Sequence, residues 1–216
     1  MKARVRPFRV AFDMDGVLAD LGGAVARESV ALFGEATDPV EACDTRRRRR
    51  VWQHIESTQN FWETLDETEP GVVAALNALT RGRRWDVIFL TTRPETGGDP
   101  ARIQTARWLA ARGFEAPGVF VVRRSRGAIA AALELDAVVD DRVESCVDVV
   151  SESDARALLV WRREAEPPAI ALNRVRIDVV RSAGDALSEL GRIDAARRER
   201  PSRFSALLRT FAARPA

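Results

Sequence analysis

Residues 9–20 read "RVAFDMDGVLAD", an apolar run that ends in two aspartates one residue apart and then a glycine. Two carboxylates that close repel each other and lose hydration, so an ordinary strand end would not choose them. Either they hold a cation or they form a polar turn. The run 8–12, "FRVAF", has the brevity and composition of a strand, and Gly16 permits a sharp turn behind it. Working outward, comparable runs stand at 86–90 "DVIFL", 118–122 "GVFVV", 136–139 "DAVV", 156–161 "RALLVW" and 175–180 "VRIDVV". Helical patterns separate them. This alternation predicts an α/β chain on a Rossmann-like, mostly parallel sheet flanked by helices.

The helices follow from spacing and punctuation. Residues 70–80 carry apolar side chains at helical intervals, and 127–134, 142–150 and 184–190 give further helices. Asp99 and Pro100 read as N-cap and first residue of a helix that stops at Gly113. Residues 20–69 are too long for one crossover helix and contain no clear strand. Within them "AVARESVALFG" reads as a helix ended by Gly34, and residues 38–41, "DPVE", as a capping-box start to another. The expected organisation is a core of residues 1–19 and 70–191, a small helical cap of 20–69, and a basic helical tail of 192–216. The cap is expected over the carboxyl ends of the strands, where open α/β sheets bind ligands. The tail, after a break at Pro201, reads as a terminal helix docked by Leu207, Leu208 and Phe211.

The chain has 216 residues, enough to bury a core without disulfides or structural metal. No run approaches the roughly 20 apolar residues that span a bilayer. The N-terminus has charge but no apolar signal region, and Cys43 and Cys146 are far apart, so a cytoplasmic, reduced chain is expected. A formal charge of +2 does not argue for nucleic acid. Lys2 is the only lysine, so arginine must serve wherever the chemistry wants a cation.

Three predicted strands deliver oxygen ligands to one sheet edge: Asp13 and Asp15 after the first, Thr91 and Thr92 after the second, Asp140 and Asp141 after "DAVV". Oxygen donors without histidine or thiolate suit a hard cation such as Mg2+. Such a cation relieves the repulsion of the opening stretch and lets an anionic substrate approach.

"DMDGVLAD", "FLTTRP" and "RGAIAAALELDAVVDD" together resemble the four motifs of the haloacid dehalogenase-like (HAD) superfamily, mostly phosphatases. Within it, "NFWETLDETEPGVVAALNAL" followed by "VIFLTTRP" is similar to the 5'(3')-deoxyribonucleotidase branch. The resemblance covers residues 8–145 and implies a magnesium-dependent phosphomonoesterase acting on small phosphorylated substrates, particularly (deoxy)nucleoside monophosphates. It implies Asp13 as the nucleophile, Asp15 as acid and base, and Thr91 as a phosphate-holding hydroxyl. Asp13, the Asp15 carbonyl and Asp141 match the magnesium ligands, with Asp140 alongside. Arg126 stands where the family usually has lysine, keeping the charge on a larger planar fork. A dehalogenase would not need the Asp15 and Asp141 set. Two alternatives stay open: a phosphatase of another small ester such as a sugar phosphate, or a phosphate-binding regulatory module.

Substrate contacts are expected at Thr92, Arg93 and Arg124 by their position beside the motifs. Trp52, Phe61 and Trp62 suit either a cap core or a base-stacking pocket. In the run Arg46–Arg50, Arg47 or Arg48 should face inward with Val51, Trp52 and Ile55, reaching the cleft or pairing with a cap acid. Nucleic-acid binding by the run is disfavoured because no stacking aromatics interleave it. His54, the only histidine, reads as a cap-surface residue, and Asp20 either caps a helix or gates the cleft.

Overall fold

The computed structural model describes residues 6–34, 45–172 and 176–199. Six parallel strands form one sheet: β1 (Phe8–Asp13), β2 (Trp85–Thr91), β3 (Gly118–Val121), β4 (Ala137–Asp140), β5 (Arg156–Val160) and β6 (Ile177–Val180). Their order across the sheet is β3-β2-β1-β4-β5-β6. The expected fold class is therefore the observed one. β1 is central, and the chain proceeds first to one side of it and then to the other. That reversal opens a crevice at the carboxyl edge.

Alternate residues of β1 serve opposite faces. Phe8, Val10 and Phe12 enter one apolar cluster with Leu76, Trp108 and Leu190, and Ala11 enters the other with Val138, Cys146 and Leu159. Burial on both faces explains why these strands read as continuous apolar runs. Helices α3 (Val72–Arg83), α4 (Ala101–Ala111) and α8 (Ala183–Glu199) cover the first face. Helices α5 (Arg126–Ala132), α6 (Val143–Glu152) and the short α7 (Ala169–Leu172) cover the second. Cys146 is buried and free, and burial pushes its thiol far above the usual range.

Between β1 and α3 the described elements are helical: α1 (Leu21–Phe33), α2 (Thr45–Ser57) and a single 3-10 turn at Phe61–Glu63. Asp20 caps α1 by accepting from Gly23 N–H at 2.9 Å, and Gly34 ends it at φ 77°. Helices α1 and α2 run antiparallel, with Arg47 and Arg50 over the Phe33 ring and His54 3.2 Å from Glu28. The segment enters and leaves the core as a paired stem, in which Asp20 N–H meets Asp66 O and Thr68 N–H meets Leu18 O. Residues 38–41 and Pro201 onwards lie outside the described residues.

Two of the boundaries that differ from the sequence reading have a visible cause. Pro100 is extended (φ −52°, ψ 143°), so α4 begins one residue later than expected. Glu95, not Asp99, accepts from the first helical N–H, that of Ala101 at 2.8 Å, while Asp99 pairs with Arg107. Helix α8 runs on past residue 192, where the tail was expected to start, because it still has a partner there. Asp194 on its inner face is buried and accepts from Trp85 Nε1 at 2.9 Å and from Arg198 Nε at 3.0 Å. Burial raises the Asp194 pKa, but hydrogen bonds from Arg198 and Trp85 and the nearby guanidiniums outweigh it and hold the carboxyl below its ordinary value of 3.8. A depressed carboxyl contributes stability above its unfolded pKa and loses it as pH falls through the folded one. Asp194→Asn is therefore expected to lower the melting temperature more at pH 7 than at pH about 2, because the contribution of the charged carboxyl fades as pH falls through its depressed pKa. An equal loss at both pH values in thermal melts would contradict this.

Candidate active site

Strand register brings the motif residues together. Asp13 is paired across from Leu90, one residue before Thr91, and Phe12 is paired across from Val139, one residue before Asp140. Asp13, Thr91 and Asp140 thus end three adjacent strands, and all three are buried. Gly16, at φ 84°, turns the chain just beyond. A Cβ there would fall 2.1 Å from Asp141 Oδ2, so only glycine lets this loop lie against that carboxylate.

Arg126 reaches the same point from the first turn of α5. Ser125 caps that helix by accepting from Gly127 N–H at 3.0 Å, and Gly127 packs so tightly on α6 that a Cβ would fall 2.1 Å from Asp148 O. The guanidinium then lies between two acids. Its Nη2 donates to Asp13 Oδ1 at 2.5 Å and its Nε to Asp140 Oδ2 at 3.4 Å. Its Nη1 is buried with no hydrogen-bond partner.

Arg93 is committed differently from expectation. Its side chain is fully buried and grips Asp15 through Nη2 at 2.6 Å and Nε at 3.0 and 3.1 Å. Thr105 takes its Nη1 at 2.9 Å, and the Trp62 ring lies 4.8 Å from its centre. A buried guanidinium needs every donor met, and the nearest carboxylate met most of them. Arg93 therefore positions Asp15 instead of presenting itself to a substrate.

The electrostatics follow from crowding. Burial first, then Asp140, push the Asp13 carboxyl well up against the opposing pull of Arg126, with Asp15 and Asp141 adding to the rise. Asp140 is raised mainly by burial, and Asp141 is pushed up to about 7 by burial and then by Asp140. Four carboxylates crowd against the two guanidiniums that bond to them, so a further cation would relieve the repulsion that adds to burial in raising Asp13 and Asp141. Among the described residues no three acidic, histidine or cysteine side chains stand converged as a ready ligand set. The donor chemistry and the crowded carboxylates nevertheless fit a divalent hard cation.

A cleft of about 360 Å³ opens beside Asp15, Gly16 and Asp141, under α1 and the Trp52 side of α2. Of the other expected contacts, Thr92 and Arg124 are exposed beside the motifs, and neither lines this cleft. Phe61 and Trp62 are 1% and 0% exposed, packed edge to face, with Trp62 Nε1 on Pro94 O. They are core and offer no face to a base. Arg48 is exposed in the first turn of α2, beside the Phe33 end of α1, and does not line the cleft.

Sequence reasoning missed the end of β5. Arg162 donates to the carbonyls of Gly16 and Val17, to Thr68 Oγ1 at 3.3 Å and to Glu69 Oε1 at 2.5 Å. Glu69 in turn accepts from Ala183 and Gly184 N–H at 2.6 and 2.9 Å, at the start of α8. Burial opposes the Glu69 charge, but these bonds and Arg162 hold its carboxyl below the usual value. The signal was available: "RALLVW" ends at the same carboxyl edge as the motif strands.

No family model matches this chain, and no curated protein is significantly similar to it. Solved structures do match it. A protein assigned as beta-phosphoglucomutase from Thermotoga maritima aligns at 19% identity over 86% of this chain and 99% of its own, with a TM-score of 0.55. A phosphonoacetaldehyde hydrolase-like protein from Oleispira antarctica aligns at 15% over 93% and 99%, with a TM-score of 0.52. An L-2-haloacid dehalogenase aligns at 12% over 87% and 100%, with a TM-score of 0.53. The chain shares the fold of haloacid dehalogenase-like hydrolases. Among the described residues no helix is long and apolar enough to cross a membrane.

Proposed function

We propose that the chain is a magnesium-dependent HAD-type phosphomonoesterase of small phosphate esters, with residues 20–69 as its cap. The observation that carries this reading is the unpartnered Arg126 Nη1, buried beside Asp13 in a site otherwise crowded with acids. A buried donor without an acceptor is costly, and an oxyanion beside Asp13 would satisfy it. The hydrolases and mutase that share the fold support the same class of chemistry.

Asp13 attacks phosphorus, forming an aspartyl-phosphate as the bond to the leaving oxygen breaks. Asp15, oriented by Arg93, protonates that oxygen and then takes a proton from the water that cleaves the acyl phosphate. Arg126 and the Thr91 hydroxyl hold the phosphoryl oxygens. Mg2+ would be held by Asp13, the Asp15 carbonyl and Asp141, with Asp140 alongside, and when bound it supplies neutralising charge at the phosphoryl group.

A nucleoside monophosphate remains the substrate to test first. It retains one of its three expected aromatics, Trp52, which is half-buried and lines the cleft. A sugar phosphate is the second reading, favoured by the loss of Phe61 and Trp62 to the core. Phosphate release from a panel of nucleotides and sugar phosphates separates them. Turnover is expected with Mg2+ and is expected to fall at least about 100-fold on chelation, as loss of a charge-neutralising ion requires. Tight phosphate binding with no turnover of any ester would instead favour a regulatory module.

A further inference from the structure

We infer that the cleft selects esters whose leaving group carries a second negative charge, and that Arg163 reads it. This deepens the phosphatase reading and rests on it for the position of the phosphate. Arg163 follows β5 and lines the cleft with its neighbour Trp161, whose ring lies 5.0 Å from the Arg163 guanidinium centre. Trp161 is itself fixed, 7% exposed with Nε1 donating to Ala165 O at 2.6 Å. The ring therefore forms a rigid plate on which the guanidinium rests.

The other charges of the cleft are already committed. Asp15 is held by Arg93, Asp20 caps α1, Asp141 lies against Gly16 where the proposed ion would take it, and Arg162 is taken by Glu69 and the loop carbonyls. Among the described residues no acidic side chain pairs with Arg163. Among the described residues it is the one cation lining the cleft whose donors are available to a ligand. Stacking on an aromatic face leaves the guanidinium edge open, and that edge matches a carboxylate or phosphate in a bidentate fork. A substrate anchored at one end by Arg126 and at the other by Arg163 would be oriented before chemistry begins. A nucleoside monophosphate releases an uncharged nucleoside, so this selection favours the sugar-phosphate reading, with a carboxylate or phosphate as the second charge; among nucleotides only one with a further phosphate would meet it.

The test pairs propylphosphonate with 3-phosphonopropionate, which differ by one terminal carboxylate, and measures binding to the full chain in Mg2+ by calorimetry. The carboxylated ligand is expected to bind about tenfold tighter, a gap of about 1.4 kcal/mol. That gap should vanish in Arg163→Ala and narrow at high salt. With the corresponding phosphate esters, Arg163→Ala is expected to raise KM about tenfold for the carboxylated one at constant kcat, the mark of lost ground-state binding. Equal binding of the two phosphonates by the parent, or a gap that survives in the variant, overturns the inference. A gap without phosphate release from any ester overturns the phosphatase reading and sustains the anion subsite.

Discussion

Asp13→Asn is expected to lose at least about 10⁴-fold in turnover, because an amide oxygen is a far poorer nucleophile than a carboxylate and no neighbour can replace it. The other three carboxylates are badly placed to substitute. Asp15 is gripped by Arg93, Asp140 shares Arg126 and accepts from Arg142 N–H at 2.9 Å, and Asp141 lies against Gly16. The same change should not unfold the chain. Asp13 is buried among like charges, and Asn removes one of four negative charges while keeping nearly the same shape. One amide contact is lost, since Asp13 accepts both from Arg126 and from Asp15 N–H at 3.1 Å, while the Asn oxygen can serve only one of them well. The melting temperature without divalent cation is thus expected to stay within a few degrees of the parent. In the parent, rapid acid quench and peptide mass spectrometry should find a phosphoryl group on the peptide containing Asp13. A variant retaining a tenth of parental turnover would remove Asp13 as nucleophile.

What the sequence made legible was whatever the sheet register dictates. A residue that ends a parallel strand must arrive at the carboxyl edge, so Asp13, Thr91 and Asp140 could be placed from apolar runs alone. Partner choice was not legible in that way. Arg93 follows Thr91 by two residues, a position that predicts a substrate contact, yet its partner is Asp15, 78 residues away. Only the folded site shows that Asp15 lacked another counter-charge. Phe61 and Trp62 show the same limit, because an aromatic pair reads alike whether it packs inside or lines a pocket. Their burial is set by Gln104, whose Oε1 takes the Trp62 N–H at 3.0 Å, and by α4 beneath them. Arg48 does not line the cleft for a geometric reason: it shares the face of Val51 and Ile55 but lies a turn earlier, in the first turn of α2. Arg162 and Arg163 were legible by the strand-end rule and were simply not read by it.

Replacing Arg126 tests the electrostatic logic of the site without relying on turnover. Arg126→Ala leaves Asp13 and Asp140 buried with no cation between them. Breaking one partner out of a buried ionic cluster costs about 3–5 kcal/mol, more than the same pair contributes when intact. At about 2–4 °C per kcal/mol for a chain of this size, the melting temperature should fall by roughly 6–20 °C. The second measurement is a cycle. In an Asp13→Asn background the same Arg126→Ala change should cost less, because the orphaned carboxylate is already neutral, and a coupling of about 1–3 kcal/mol is expected between the two sites. Arg126→Lys should fall between parent and alanine: its ammonium keeps the charge and three donors, but these sit on one nitrogen and cannot span Asp13, Asp140 and an oxyanion as the wider planar fork does. Added phosphate should therefore stabilise the parent against heat more than the lysine variant, since ligand binding raises stability in proportion to its affinity. Additive losses in the cycle would show that Arg126 acts on fold through packing alone, and the charge balance of two guanidiniums against four carboxylates would no longer explain the site.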